Sequence, residues 1–164
     1  MSKQFIILDL DNCIADDAHR VPAIRWTQRD NFLRYHDYHL LAPWDAVANN
    51  DLFEGRRERI IIFTARPVLY RASTVEWLKR NRVPHEHIIM RNNHDHRRST
   101  EVKRQMLRWL VENYDVALEE VACAYDDRQE IVDMYLAAGV PAERRAVSEE
   151  ADAYKNPLTG ANHA

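Results

Sequence analysis

The uninterrupted run Ile60-Ile61-Ile62-Phe63 constrains the fold more than any other stretch of the chain. β-Branched residues without polar alternation suit a strand covered on both faces, as in a parallel sheet between helical layers. Further apolar segments read as strands at 5–9, 87–90 and 121–125, with a poorer one at 145–147. Helical stripes fall between them. Val68, Ala72, Val75 and Leu78 form one, and Val102, Met106, Trp109 and Leu110 a second. Ile131, Tyr135 and Leu136 form a third, with Gly139 as the terminating residue. Alternating strands and helices predict an α/β fold, a three-layer parallel sheet. Ligands bind such sheets at the carboxyl ends of the strands, where Asp9, Thr64 and Asp126 all fall.

Residues 1–150 are expected to form one domain and 151–164 a poorly ordered tail. Within the domain, 16–55 reads as a helical insertion after the first strand, with no obvious strand of its own. It either overhangs the strand ends as a cap or serves as a long crossover whose aromatics, from Trp26 and Phe32 to Tyr35, Tyr38 and Trp44, share in the core. At 164 residues the chain can bury a sizeable core. No stretch approaches the roughly 20 apolar residues of a membrane helix. Asp9 and Asp11 interrupt the N-terminal run too early for a signal peptide. Cys13 and Cys123 do not make a disulfide framework, so the cytoplasm is the expected compartment.

With 23 basic and 26 acidic residues the net charge is −3, which argues against a broad footprint for duplex nucleic acid. Local basic clusters remain, at Arg56, Arg57 and Arg59 and again from Arg97 to Arg108. Their default reading is solvated surface.

The first strand delivers Asp9 and Asp11 at spacing i, i+2, and such residues of an extended chain point to one side. Two anions that close repel unless a cation joins them or one carries a proton. The pair therefore predicts a metal site or an acid and nucleophile working together. Three more features follow in chain order: Thr64-Ala65-Arg66, Lys103, and Asp126-Asp127. Each has a structural alternative. Thr64 could cap a helix starting near Pro67, and Asp127 with Glu130 could form a capping box. Lys103, beside Arg104, could be a surface cation. Asp9 and Asp11 have no comparable alternative, because buried acids without partners are costly.

These four features, in this order, resemble the motifs of the haloacid dehalogenase (HAD) superfamily of phosphotransferases. The resemblance implies a Rossmann-like fold and a Mg²⁺-dependent phosphomonoesterase that works through an aspartyl-phosphate. It implies Asp9 as nucleophile and Asp11 as acid and base, with Asp9, Asp11, Asp126 and Asp127 as the Mg²⁺ site. Thr64 and Lys103 would grip the phosphate. The chemistry suits the need, since phosphate monoesters are among the slowest substrates to hydrolyse. An aspartate nucleophile splits the step in two, and Mg²⁺ offsets carboxylate–phosphate repulsion.

From Phe63 to about Val147 the chain is similar, more closely, to the 3′-phosphatase domain of bacteriophage-type polynucleotide kinases. Thr64-Ala65-Arg66, Thr74-Val75-Glu76-Trp77-Leu78, Arg97-Arg98 ahead of Val102-Lys103, and Ala124-Tyr125-Asp126-Asp127-Arg128 carry that likeness. Val132, Met134 and Gly139-Val140 continue it. It implies Arg66 and Arg20 as further phosphate-binding residues, with a surface position as the alternative for each. The implied substrate is a 3′-phosphate on a nucleic-acid end or a nucleotide. A nucleoside monophosphate phosphatase is the rival within the class, and a non-catalytic regulatory protein of the same fold is the rival outside it. Neither a membrane nor a stable protein partner is expected, and a phage-encoded chain would act in its host's cytoplasm.

The chain departs from the superfamily's usual Asp-x-Asp-Gly-Thr at Asn12-Cys13. Asn tolerates a left-handed backbone better than most residues. Cys13 lacks the Thr hydroxyl, and no nearby His would make it a catalytic thiol. No G-x-x-x-x-G-K-S/T loop occurs, so a kinase activity is not implied. His85, His87, His94 and His96 have no cysteine pair beside them and read as a solvated loop rather than a zinc site.

Overall fold

The structure, a computed structural model, describes residues 4–21 and 37–149. In chain order its elements are β1 (Phe5–Leu8), β2 (Ala15–Asp16), β3 (Ala46–Val47), β4 (Arg59–Pro67), α1 (Arg71–Arg80), β5 (His87–Arg91), α2 (Ser99–Tyr114), β6 (Val121–Asp126), α3 (Gln129–Ala137) and β7 (Ala142–Arg144). Five strands form one parallel sheet in the order β5-β4-β1-β6-β7.

Register explains the unbroken apolar runs. Ile6 pairs with Ile60 and Leu8 with Ile62, and these side chains meet Trp77 and Leu78 of α1 on one face. Ile7 pairs with Ile61, and both face Met106 and Leu110 of α2 and Ile131 and Tyr135 of α3. Every position along the central strands is therefore covered. Each such isoleucine contributes roughly 1.5–3 kcal/mol by leaving water. The three-layer α/β expectation holds.

Local expectations fared unevenly. The last strand is Ala142–Arg144 rather than 145–147. It is a half-exposed edge strand held by main-chain bonds such as Ala124 N–H to Pro141 O at 2.8 Å, so apolar content was no guide to it. The stripe read for α1 is rotated: Val68 and Val75 are exposed, and Thr74, Trp77 and Leu78 face inward. The Trp77 indole N–H donates to Asp45 O at 2.9 Å, fixing that face against the connection after β1. Trp109 and Leu136 are likewise exposed, whereas the other members of their stripes are buried. Gly139, at φ +83°, ends the helical region as expected, with its N–H bonded to Leu136 O.

Of the segment 16–55, residues 22–36 lie outside the described residues, Trp26, Phe32 and Tyr35 among them, as does the tail 151–164. The described part is not wholly helical. It holds β3, antiparallel to β2 through Ala15↔Val47, and single turns at Ala42–Trp44 and Asn50–Leu52. Two-residue strands are too short to show a period. Tyr38 is buried and Trp44 is exposed. Among the described residues, no helix is long and apolar enough to cross a membrane.

Candidate active site

Asp9 directly follows β1, Thr64 lies within β4, and Asp126 ends β6. These strands are neighbours, so their carboxyl ends bring the three residues together. β4 continues to Pro67, which makes Thr64 a buried strand residue rather than a helix cap. Its Oγ1 accepts the Arg66 N–H at 3.2 Å, and α1 begins only at Arg71.

One half of the site is anionic. Oxygen atoms of Asp9, Asp126 and Asp127 lie within 4.8 Å of one another, all buried. Lys103 is buried with them rather than on the surface. Its Nζ donates to Asp9 Oδ1 at 2.6 Å and also to Asp126 Oδ2. Burial alone would lower its pKa, but Asp126 and Asp9 hold it well above the ordinary lysine value. One lysine cannot balance three acids. Burial pushes Asp9 up to about 6, against the pull of Lys103 and with help from Asp127 and Asp11. Asp126 rises to about 6 for the same leading reason. This surplus of desolvated negative charge on hard oxygen donors fits Mg²⁺, which favours such ligands.

Asp127 is tied into the cluster by Asn12, whose Nδ2 donates to Asp127 Oδ2 at 3.1 Å. The same Asn12 amide bonds Ser148 O and accepts Ser148 N–H, each at 2.8 Å. Asn12 sits at φ 61°, the left-handed turn expected where the superfamily places Gly. Its side chain adds ties that Gly cannot make. No capping box forms at Asp127, since the residue flanking α3 is Arg128, which pairs with Glu130. Cys13 is fully buried, and burial, followed by the charges of Asp9, Asp126 and Asp127, pushes its thiol pKa well up, so it stays protonated.

Asp11 does not join the cluster of three. β1 ends at Leu8, and Leu10 O accepts N–H groups from Cys13, Ile14 and Ala15, so the chain turns before it reaches the i+2 geometry of a strand. Asp11 faces a cationic half instead. Arg66 Nε donates to its Oδ1 at 3.0 Å and Arg66 Nη2 at 2.6 Å. Arg20 Nη2 donates to the same oxygen. Both arginines are buried, so neither is a surface residue.

Sequence reasoning missed the partner that stands behind them. Asp45 accepts Arg20 Nε at 2.8 Å and Arg20 Nη2 at 2.6 Å, and Arg66 Nη2 lies 3.4 Å from it. An aspartate between a proline-containing turn and a two-residue strand carries no recognisable signal. Arg91 was missed as well. It donates to Ala65 O at 2.9 Å and to the carbonyls of Asp95 and Arg97, fastening the loop after β5 to the Thr64 segment. His94 and His96 stand in that loop beside an open groove, apart from the cluster of Asp9, Asp126 and Asp127.

The family of polynucleotide kinase PNKP phosphatase domains matches residues 3–146. No curated protein sequence matches the chain significantly. Among solved structures, a chain of the Pnkp1/Rnl/Hen1 RNA repair complex is similar at TM-score 0.64 and 19% identity, over 87% of this chain and 42% of that one. This chain thus spans less than half the length of that relative. A haloacid dehalogenase-like hydrolase from Streptococcus pneumoniae is similar at TM-score 0.64 and 10% identity, over 93% of this chain and 90% of that one. A third, from Bacteroides fragilis, is similar at TM-score 0.63 and 15% identity, with 92% of each chain covered. At these identities the solved structures speak for the fold, whereas the family match extends over nearly all of the described site. The chain therefore belongs to the polynucleotide kinase PNKP phosphatase domain family and is a phosphatase hydrolase of the haloacid dehalogenase superfamily.

Proposed function

We propose that this chain is a Mg²⁺-dependent phosphomonoesterase that removes 3′-phosphates from nucleic-acid ends or nucleotides through an aspartyl-phosphate at Asp9. The observation that carries the reading is the division of charge. Asp9 shares Lys103 with Asp126 in the anionic half, while Asp11, two residues on, stands among arginines. The two carboxylates thereby take different tasks.

Asp9 attacks phosphorus, and the ester oxygen leaves with a proton supplied by Asp11. Asp11 then takes a proton from the water that attacks the aspartyl-phosphate, releasing phosphate and restoring Asp9. Lys103 keeps Asp9 ionised and, with Thr64, Arg20 and Arg66, offsets charge on the transferring group. Mg²⁺, held by Asp9, Asp126 and Asp127, would offset the repulsion between the nucleophile and the anionic substrate.

Trp44 supports a substrate that carries a nucleobase over a simple phosphate ester. It is 72% exposed and immediately precedes Asp45, the residue that holds both arginines. An exposed indole at such a place offers a stacking surface for a base, worth about 1–3 kcal/mol. The test is phosphate release from a 3′-phosphorylated oligonucleotide compared with free mononucleotides under identical Mg²⁺. A large preference for the oligonucleotide is expected. A large preference for mononucleotides would overturn the assignment and favour a nucleoside monophosphate phosphatase.

A further inference from the structure

We propose that Asp45 is a positioning residue that keeps Arg20 and Arg66 in place for the substrate phosphate. The inference rests on the phosphate-binding role given to these arginines above.

The two guanidiniums are taken out of water, and a buried cation needs a fixed counter-anion. Asp11 is the less enclosed of their two carboxylates, with 15% of its side chain exposed. Asp45 lies deeper. Its carboxylate is fully buried and engages Arg20 in a two-toothed pair through Nε and Nη2. This fork geometry fixes the plane of the guanidinium as well as its position. Arg20 is held further by Tyr38, whose carbonyl accepts Nη1 at 3.2 Å and whose ring lies 3.9 Å from the guanidinium carbon. Arg66 reaches the same carboxylate at 3.4 Å and Thr74 Oγ1 at 3.3 Å.

Asp45 is anchored from behind. Trp77 of α1 donates to its carbonyl, and His19 Nε2 lies 2.9 Å from its Oδ1. Two guanidiniums thus sit between a partly open carboxylate and a fully enclosed one. When substrate draws the arginines' remaining N–H groups toward phosphate, the bonds to Asp45 persist. Phosphate then meets donors already in place, and no reorganisation is needed at that step.

The experiment compares Asp45→Asn, Arg20→Ala and the double variant in hydrolysis of p-nitrophenyl phosphate, with folding checked by thermal melting. Asp45→Asn should lower kcat/KM on the order of 100-fold, the scale expected for a misplaced binding group. The double variant should lose much less than the product of the two single losses, because Asp45 acts in large part through Arg20. Losses that multiply, or full activity in Asp45→Asn, would overturn the proposal. If Asp45→Asn does not fold, Arg20→Lys breaks the same fork while leaving a cation, and it should show the same loss. A second readout needs no turnover: the Arg20 Nε–H signal in NMR should exchange slowly with water in the parent chain and quickly in Asp45→Asn. Slow exchange in both would overturn the proposal even in an active enzyme. Lack of activity in the parent chain would instead count against the phosphatase assignment.

Discussion

The two halves of the site solve opposite electrostatic problems with different parts of the fold. Around Asp9, strand ends bring together three buried acids with one lysine, leaving a charge deficit. Around Asp11, the connection between β1 and β4 supplies Arg20 and Asp45, and two guanidiniums face two carboxylates. The first half holds more negative charge than Lys103 offsets. The second is closed on itself and waits for an anion to compete for its donors. Neighbouring carboxylates two residues apart are thus given different chemical lives by the partners that folding brings to them.

That contrast can be broken most forcefully at Lys103. Lys103→Met leaves Asp9 and Asp126 buried with no cation between them, which should cost about 3–5 kcal/mol of stability in chelator. Thermal melting reads the loss, and added Mg²⁺ should restore much of it. Unchanged melting in chelator would mean that the lysine does not balance these acids.

Arg66→Ala removes two donors to Asp11 without touching the anionic half. It should lower kcat/KM for an aryl phosphate on the order of 100-fold, while Mg²⁺ binding measured by calorimetry stays as in the parent. A matching loss of Mg²⁺ affinity would show that the halves are not separate.

The pH dependence sharpens the contrast further. Asp9 and Asp126 rise from 3.8 to about 6 in the folded chain. Between those values the folded chain binds more protons than the unfolded one, so without a divalent cation its stability should fall as pH rises through this window. Mg²⁺ needs both groups ionised, so its affinity and the stability it adds should increase through the same window. Melting at about pH 5 and about pH 7, with and without Mg²⁺, should show the gap between the two conditions widening as pH rises. Parallel trends would contradict the raised values.

The smallest effect is expected at Asn12→Gly. It relieves a left-handed residue but removes the amide tie to Asp127. An approximately 10-fold weaker Mg²⁺ affinity is expected, as for other groups that orient a metal ligand. An unchanged affinity would mean that Asp127 is held in place without it.

The same division marks what was legible beforehand. The anionic half was readable because each of its acids follows an apolar strand, and a parallel sheet gathers strand ends at one edge. Lys103 was readable only by its order among the motifs. Its bond to Asp9 joins residues 94 positions apart, which no local pattern encodes. The arginines came by likeness alone. Asp45 was invisible, because its partners are assembled by a turn at Ala42–Trp44 and a two-residue strand pair rather than by any periodic element. The i, i+2 spacing could not show where Asp11 points, because the strand stops at Leu8 and the turn held by Leu10 O swings Asp11 toward the arginines.

The most direct measurement is a single turnover with a radiolabelled aryl phosphate, quenched in acid, for the parent chain, Asp9→Asn and Asp11→Asn. An aryl leaving group needs no protonation, so Asp11→Asn should still form the aspartyl-phosphate and then fail to hydrolyse it. The account predicts label trapped on the peptide carrying Asp9 in Asp11→Asn, little in the parent, and neither label nor turnover in Asp9→Asn. Turnover in Asp9→Asn, or label on any other residue, would contradict it.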